Sequence, residues 1–285
     1  MKLNLSTSEI FIPDGIPIEQ ALSRTTHLAV SAHQDDLEIM AAEAILNCFQ
    51  QPDQWFTGVV VTDGRGSPRD GLYQRYTDDE MRLVRFKEQK KAAFVGEYAA
   101  QIILDYPSKV VKDVANKQPV EDLVLVLKAS RPQYVYTHNL ADKHDTHVAA
   151  ALRLIEAIRY LPKEERPLRL YGCEVWRDLD WMSDVDKVPF DLSTHENLQA
   201  ALLGVHDSQI CGGKRYDLAT MGRRKSHATY FETHGTDTMT GVSFGMDMTP
   251  LVNDSEIDPA DFIQGFVKRF AQDIDKRLKR LGQGK

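Results

Sequence analysis

A chain of 285 residues with 42% hydrophobic and 27% charged side chains is long enough to bury a sizeable core and has an ordinary globular balance. Its formal net charge of −7 lacks the basic excess of a bulk nucleic-acid binder, so nucleic acid is not an expected partner. Three dispersed cysteines, Cys48, Cys173 and Cys211, form no CxxC pair, which argues against a disulfide framework or a cysteine zinc site and fits a reducing compartment.

The opening segment MKLNLSTSEIFIPDG carries no apolar core of signal-peptide length, and no apolar run reaches the roughly 18 residues of a membrane span. A cytoplasmic protein without a membrane partner is therefore expected. In chain order, His27–Ala32 reads as a buried strand, followed by a helix over Leu37–Gln50 and a second strand over Phe56–Thr62. A polar, glycine-containing loop spans Asp63–Tyr76, and a helix over Thr77–Gly96 ends near its glycine. Strands are expected at Gln101–Asp105, Gln133–Thr137 and Leu168–Val175. Helices over Val120–Ser130 and His147–Leu161 separate them and are halted by Pro132 and Pro162. Farther on come helical stretches at Glu196–Val205 and Tyr216–Tyr230, a strand near Val242–Met246 and a basic amphipathic helix over Pro259–Leu281.

This alternation implies an α/β fold, a Rossmann-like and mostly parallel sheet with helices on both faces. Such sheets bind ligands at the carboxyl ends of their strands, which singles out the loops after Ala32, Thr62 and Thr137.

The first of these loops reads Ser31-Ala-His-Gln-Asp-Asp-Leu-Glu38. Catalytic zinc takes three protein ligands from His and Asp/Glu and keeps one position open. His33 and Asp36, three apart across a strand-to-helix turn, can aim at one point, with Asp35 beside the metal as general base. The same residues also fit a capping box, Asp35 at the N-cap and Glu38 at N3. The third loop contains Asp142-Lys-His-Asp-Thr-His147. His147 can complete a His–Asp–His set, leaving His144 to stabilise an oxyanion or protonate a leaving amine. Two histidines at a helix start are weak alone; their placement on the same sheet edge as the first cluster gives them weight.

The AHQDDLE segment resembles the signature A/PHPDDxE of the PIG-L/LmbE-like N-acetylglucosamine deacetylase family, and ADKHDTH resembles that family's D-x-HPDH signature. Asp63-Gly64 followed by Arg85-x-x-Glu88 and Ala92, Leu202-Leu-Gly-Val-His-Asp-Ser-Gln209, and Tyr230-Phe-Glu232 are smaller echoes in the same order. The resemblance implies a zinc-dependent hydrolase of N-acetylated amino sugars or conjugates, with His33, Asp36 and His147 as ligands, Asp35 as base and His144 as its polar partner. The ligand set also suits iron(II) or another divalent metal. Arg85 is implied as a substrate contact, and Arg65, on a loop at the site edge, and Asp142 join it as candidate contacts.

Three positions depart from the family pattern. Gln34 replaces a proline and is expected to loosen the turn, Asp145 stands where proline is usual, and Thr146 replaces an aspartate that would orient a site histidine. The resemblance implies one LmbE-like hydrolase domain over 1–285, with an N-terminal extension over 1–26 and a C-terminal strand-and-helix extension over 236–285 packed on it. The expected partner is a small N-acylated sugar or conjugate. The basic residues between Lys268 and Arg280 are read as solvent-facing, or as lying at a homo-oligomer contact.

Overall fold

The computed structural model describes residues 1–282. Its first half runs β1 (Glu9–Phe11), α1 (Ile18–Ser23), β2 (His27–Ser31), α2 (Asp36–Met40), α3 (Ala42–Cys48), β3 (Phe56–Thr62), α4 (Asp78–Val95) and β4 (Ala100–Tyr106). There follow α5 (Ser108–Lys112), α6 (Gln118–Ser130), β5 (Tyr134–His138), α7 (Asp145–Arg159), β6 (Arg169–Cys173) and β7 (Lys187–Asp191). The chain closes with α8 (Glu196–Gly204), α9 (Asp207–Ile210), α10 (Tyr216–Tyr230), β8 (Val242–Asp247), α11 (Thr249–Asn253) and α12 (Pro259–Gly282).

The eight strands form one sheet in the order β1-β4-β3-β2-β5-β6-β8-β7, in which β4 through β6 are parallel and β1 and β8 run antiparallel to their neighbours. Period-two alternation sorts the strand side chains between two cores. Leu28, Val30, Val59, Val61, Ile102 and Leu104 pack on one face with Leu123, Val126 and Leu154 of α6 and α7. Ala29, Val60 and Ile103 pack on the other with Leu37, Ile45, Phe86 and Leu202 of α2, α3, α4 and α8. The mostly parallel sheet covered on both faces is the architecture that the alternating pattern implies.

One local feature differs from the sequence reading. The helix expected over Leu37–Gln50 is two short helices broken at Ala41, which adopts φ −110° and ψ 25°. The N-terminal segment contributes β1, which pairs with β4 through Glu9–Ile103. The helix starting after Thr77 has the reciprocal cap that its sequence permits, since Thr77 and Glu80 exchange side-chain bonds to each other's backbone amides. Among the described residues, no helix is long and apolar enough to cross a membrane.

Strand order reverses between β2 and β5: from β2 the chain moves outward to β3 and β4, then returns to place β5 and β6 on the other side. That reversal opens a crevice at the carboxyl ends of β2 and β5. Both histidine-bearing loops emerge there.

Candidate metal and catalytic centre

The turn after β2 is built around a backbone that ordinary residues avoid. Asp35 adopts φ 84° and ψ −30°, a conformation that costs on the order of 1–3 kcal/mol and needs surrounding support. Its amide donates to Gln89 Oε1 at 3.2 Å, and Arg85 donates to the preceding carbonyl of Gln34. Gln34 does not loosen this turn. Its side chain is fully buried, donates to Thr62 O at 3.1 Å, and lies over Gly64, where a Cβ would collide with Gln34 Oε1 and where φ is +68°. The β2 turn is thereby tied to the end of β3.

The capping-box reading of Asp35 and Glu38 does not hold. Asp35 occupies the N-cap position of α2 without a side-chain cap bond. Its carboxylate instead faces Arg85 at 3.3 Å. Glu38 is buried and accepts from Gln89 Nε2, Tyr98 OH and His206, the last at 3.0 Å.

Three atoms from the two loops form a nearly equilateral triangle. His33 Nδ1 lies 3.3 Å from Asp36 Oδ2 and 3.2 Å from His147 Nε2, and the latter two are 3.4 Å apart. Ligands about 2.0–2.1 Å from a tetrahedral zinc stand roughly 3.3–3.4 Å from one another, so this donor set fits the face of such a site. Asp36 also accepts the His33 amide at 2.7 Å, which fixes its carboxylate in the triangle.

His138, the last residue of β5, was not singled out from sequence. It is fully buried, stacks on His147 at 3.9 Å and comes within 3.5 Å of Asp36 Oδ2. A group of Asp36, His138 and His147 is therefore also close enough for an ion, as is one of His33, His144 and His147. His138 Nε2, however, accepts the Ala32 amide at 2.8 Å, and that bond occupies the lone pair a metal would need. Its position at the carboxyl end of a central strand was the available sequence signal.

Around the triangle, the expected residues divide. His144 lies at the rim, edge-on to His33 at 5.0 Å, stacked on His147 at 4.5 Å and parallel to Trp176 at 6.5 Å. Arg85 was expected to meet substrate but is 2% exposed, its guanidinium taken up by Gln34 O and Asp35. Asp142, also expected at substrate, stands behind the His147 ring: its Oδ2 is 3.6 Å from His147 Nδ1 and accepts the Trp176 amide at 3.0 Å. Asp142 thus puts a carboxylate behind His147, although Thr146, buried beside it, brings none. Arg65 is 42% exposed at its side chain and bonds Asp63 at 2.7 Å and Asp79 at 3.2 Å. Glu88 accepts both the amide and hydroxyl of Ser208 at 2.7 Å, joining α4 to α9.

The two adjacent carboxylates are driven apart. Burial would raise Asp36, but His147 and His138 beside it hold its carboxyl well below the usual carboxylate range. Burial raises Asp35, with Arg85 opposing and Asp36 adding to the rise. Burial lowers His144, reinforced by the neighbouring His147 and His33. Divergent environments on neighbouring acids are how one site sets different proton tasks on two similar groups.

Residues 28–158 match the family model described as PIG-L, GlcNAc-PI de-N-acetylase. The match spans 131 of the 285 residues, just under half of the chain. The matched segment opens in β2 and closes in α7, so both histidine loops lie inside it. Among solved structures, the conserved protein TT1542 from Thermus thermophilus is similar with a TM-score of 0.61 at 18% identity, over 77% of this chain and 93% of that one. N,N'-diacetylchitobiose deacetylase from Pyrococcus horikoshii has a TM-score of 0.61 at 15% identity, over 81% and 86% of the two chains. GalB, the 4-carboxy-2-hydroxymuconate hydratase from Pseudomonas putida KT2440, has a TM-score of 0.58 at 16% identity, over 79% and 95%. At these identities the shared feature is the fold. No curated protein matches the chain in sequence.

Proposed function

We propose that this protein is a metal-dependent hydrolase that removes an N-acyl group, an acetyl group foremost, from an amino sugar or sugar conjugate. The observation that carries the reading is the triangle of His33 Nδ1, Asp36 Oδ2 and His147 Nε2, with edges of 3.2–3.4 Å, and a strained, buried carboxylate, Asp35, next to it in sequence. His33, Asp36 and His147 would hold zinc, or iron(II) in its place. A divalent cation, when bound, supplies Lewis acidity for a water and an acyl oxygen.

The remaining chemistry belongs to the chain. Asp35 accepts a proton from the attacking water while the oxygen bonds to the acyl carbon. Arg85, which grips both Gln34 O and Asp35, fixes that carboxylate in its unusual backbone pose. His144 at the open rim donates to the developing oxyanion. The C–N bond then breaks, the proton held by Asp35 passes to the departing amine, and acetate and free amine leave. Burial, which raises Asp35, suits a group that must both take and return a proton near neutrality. The PIG-L family model, named for a de-N-acetylase, supports the acyl-amide substrate class. The whole chain is read as one hydrolase unit, because both of its extensions supply strands to the common sheet.

The test measures metal content of the purified protein and of His33→Ala, with acetate release from N-acetylglucosamine and N,N'-diacetylchitobiose. One divalent ion per chain, lost together with acetate release in the variant, is the expected result. A wild-type protein that binds no divalent metal overturns the proposal. Because the same fold carries a protein named as a hydratase, the product assayed is acetate rather than loss of substrate.

A further inference from the structure

Beside the triangle lies a cavity of about 210 Å³ lined by Ile39, Val175, Trp176, Lys214, Tyr216 and Arg223, among others. Three of its wall residues lie next to the candidate centre or to one another. Ile39 belongs to α2, three residues after Asp36; Trp176 lies parallel to the His144 ring; and Tyr216 meets Trp176 edge-on at 6.0 Å. Tyr216 is also near enough to Asp35 and Asp36 for both to raise its hydroxyl beyond the usual range, after burial as the larger cause.

The lining is electrostatically one-sided. Three cations, Lys214, Arg215 and Arg223, border it and no carboxylate does, in a chain with 42 acidic and 35 basic residues. Arg215 is neutralised by a two-pronged pair with Asp217 at 2.8 Å and 2.9 Å. Lys214 has no acidic partner among the described residues, and its ammonium sits 5.1 Å over the Trp176 ring. Arg223 gives one nitrogen to Val175 O at 2.7 Å, which anchors the guanidinium at the cavity wall and leaves its other N–H groups uncommitted to any acid. A cation anchored by a backbone carbonyl, a second cation held over an indole and two aromatic walls match an anionic group attached to a ring.

We infer that this cavity is a subsite for an anionic group, a phosphate ester or a carboxylate, carried by the substrate beyond its acyl amide. The inference rests on the hydrolase reading for the orientation of the substrate, with the amide at the triangle and the charge at Lys214 and Arg223. The substrate class narrows to acidic N-acylated sugars, and neutral ones become poor ligands.

The experiment measures equilibrium binding to the zinc-loaded full chain by titration calorimetry. The ligands are N-acetylglucosamine, N-acetylglucosamine 1-phosphate and N-acetylmuramate, with acetate release followed separately. At least one acidic sugar is expected to bind about tenfold or more tighter than the neutral one, with the preference shrinking as salt rises. In Lys214→Glu the ratio of acidic to neutral affinity should fall about fivefold or more; Lys214 is an exposed side chain, so folding is not at stake. Which acidic sugar is preferred separates a phosphate from a carboxylate ligand. Equal affinities, no binding of either acidic sugar, or a ratio unchanged in Lys214→Glu overturns the subsite. Preference for an acidic sugar without acetate release supports the subsite and counts against the hydrolase. Acetate release without preference does the reverse.

Discussion

Asp142 Oδ2 stands 3.6 Å from Nδ1 of His147, while the other nitrogen of that ring faces Asp36 at 3.4 Å. Burial would lift the Asp142 carboxyl, and its contact with His147 more than offsets this, holding it below the ordinary range. A carboxylate behind a ligand histidine fixes the tautomer and strengthens the ring as a donor. Asp142→Asn is therefore expected to weaken zinc binding by about 10–100-fold, the usual effect of losing such a partner. Competition against a zinc-binding dye measures it. An unchanged affinity in a folded variant would remove Asp142 from the metal centre.

The proposed mechanism gives the neighbours Asp35 and Asp36 separate tasks. Asp35→Asn should lower acetate release by about 10²–10⁴-fold while metal content stays near one per chain, since general-base contributions are of that size. Asp36→Asn should lose the metal itself. Parallel metal analysis and acetate assays on both variants distinguish them, and equal loss of metal in the two would collapse the division of labour.

On the proposed mechanism Arg85 is a positioning residue rather than a substrate contact. Arg85→Lys keeps the charge but cannot bridge Gln34 O and Asp35 in one plane. Its kcat is expected to fall about tenfold or more with KM within about twofold, because the loss is in the pose of the base and not in binding. Arg85→Met also removes the cation that opposes the burial-driven rise of Asp35, so the acidic limb of its pH–rate profile should move to higher pH. A KM effect without a kcat effect in Arg85→Lys would return this residue to the substrate.

Glu174, at the end of β6, accepts amides from Leu179 at 2.6 Å and Phe244 at 3.0 Å, and burial pushes its carboxyl up to about 7 from 4.5. The folded state thus holds this proton more tightly than the unfolded chain. Its contribution to stability is complete below about pH 4.5 and is lost as pH rises towards 7, amounting to at most about 3–4 kcal/mol at about 1.4 kcal/mol per unit. Glu174→Gln should flatten that slope, although it also gives up one of the two amide bonds. Urea midpoints at pH 5 and pH 8 for both proteins test this, and identical slopes would rule out Glu174 as the titrating group.

Much of this architecture was legible because its signals are local. Phe56–Thr62 and Tyr216–Tyr230 have the bounds that periodicity set for them, and the loops after β2 and β5 announced a site through residues adjacent in sequence. What escaped depends on partners far along the chain. Arg85 and Asp35 are 50 positions apart, and no sequence pattern says that the guanidinium turns inward rather than to solvent. Nor did spacing tell whether Asp142 would face a ligand or the back of His147. The short edge strands β1 and β7 carry too few alternating residues to be seen, and β7 contains Pro189. The break at Ala41 lies within an apolar run that reads equally well as one helix.

The position of β8 sets an order on synthesis. It lies between β6 and β7, yet β7 ends at Asp191 and β8 begins only at Val242. A ribosome that has released both histidine loops and the wall residues Trp176 and Tyr216 still holds a nascent chain whose β6 has a bare edge and whose β7 has nothing to pair with. Exposed strand edges invite pairing with other chains. The vulnerable interval in the life of this protein is therefore the time taken to translate from β7 to β8, and a chain stopped within it carries most of its chemistry on an unfinished, association-prone sheet.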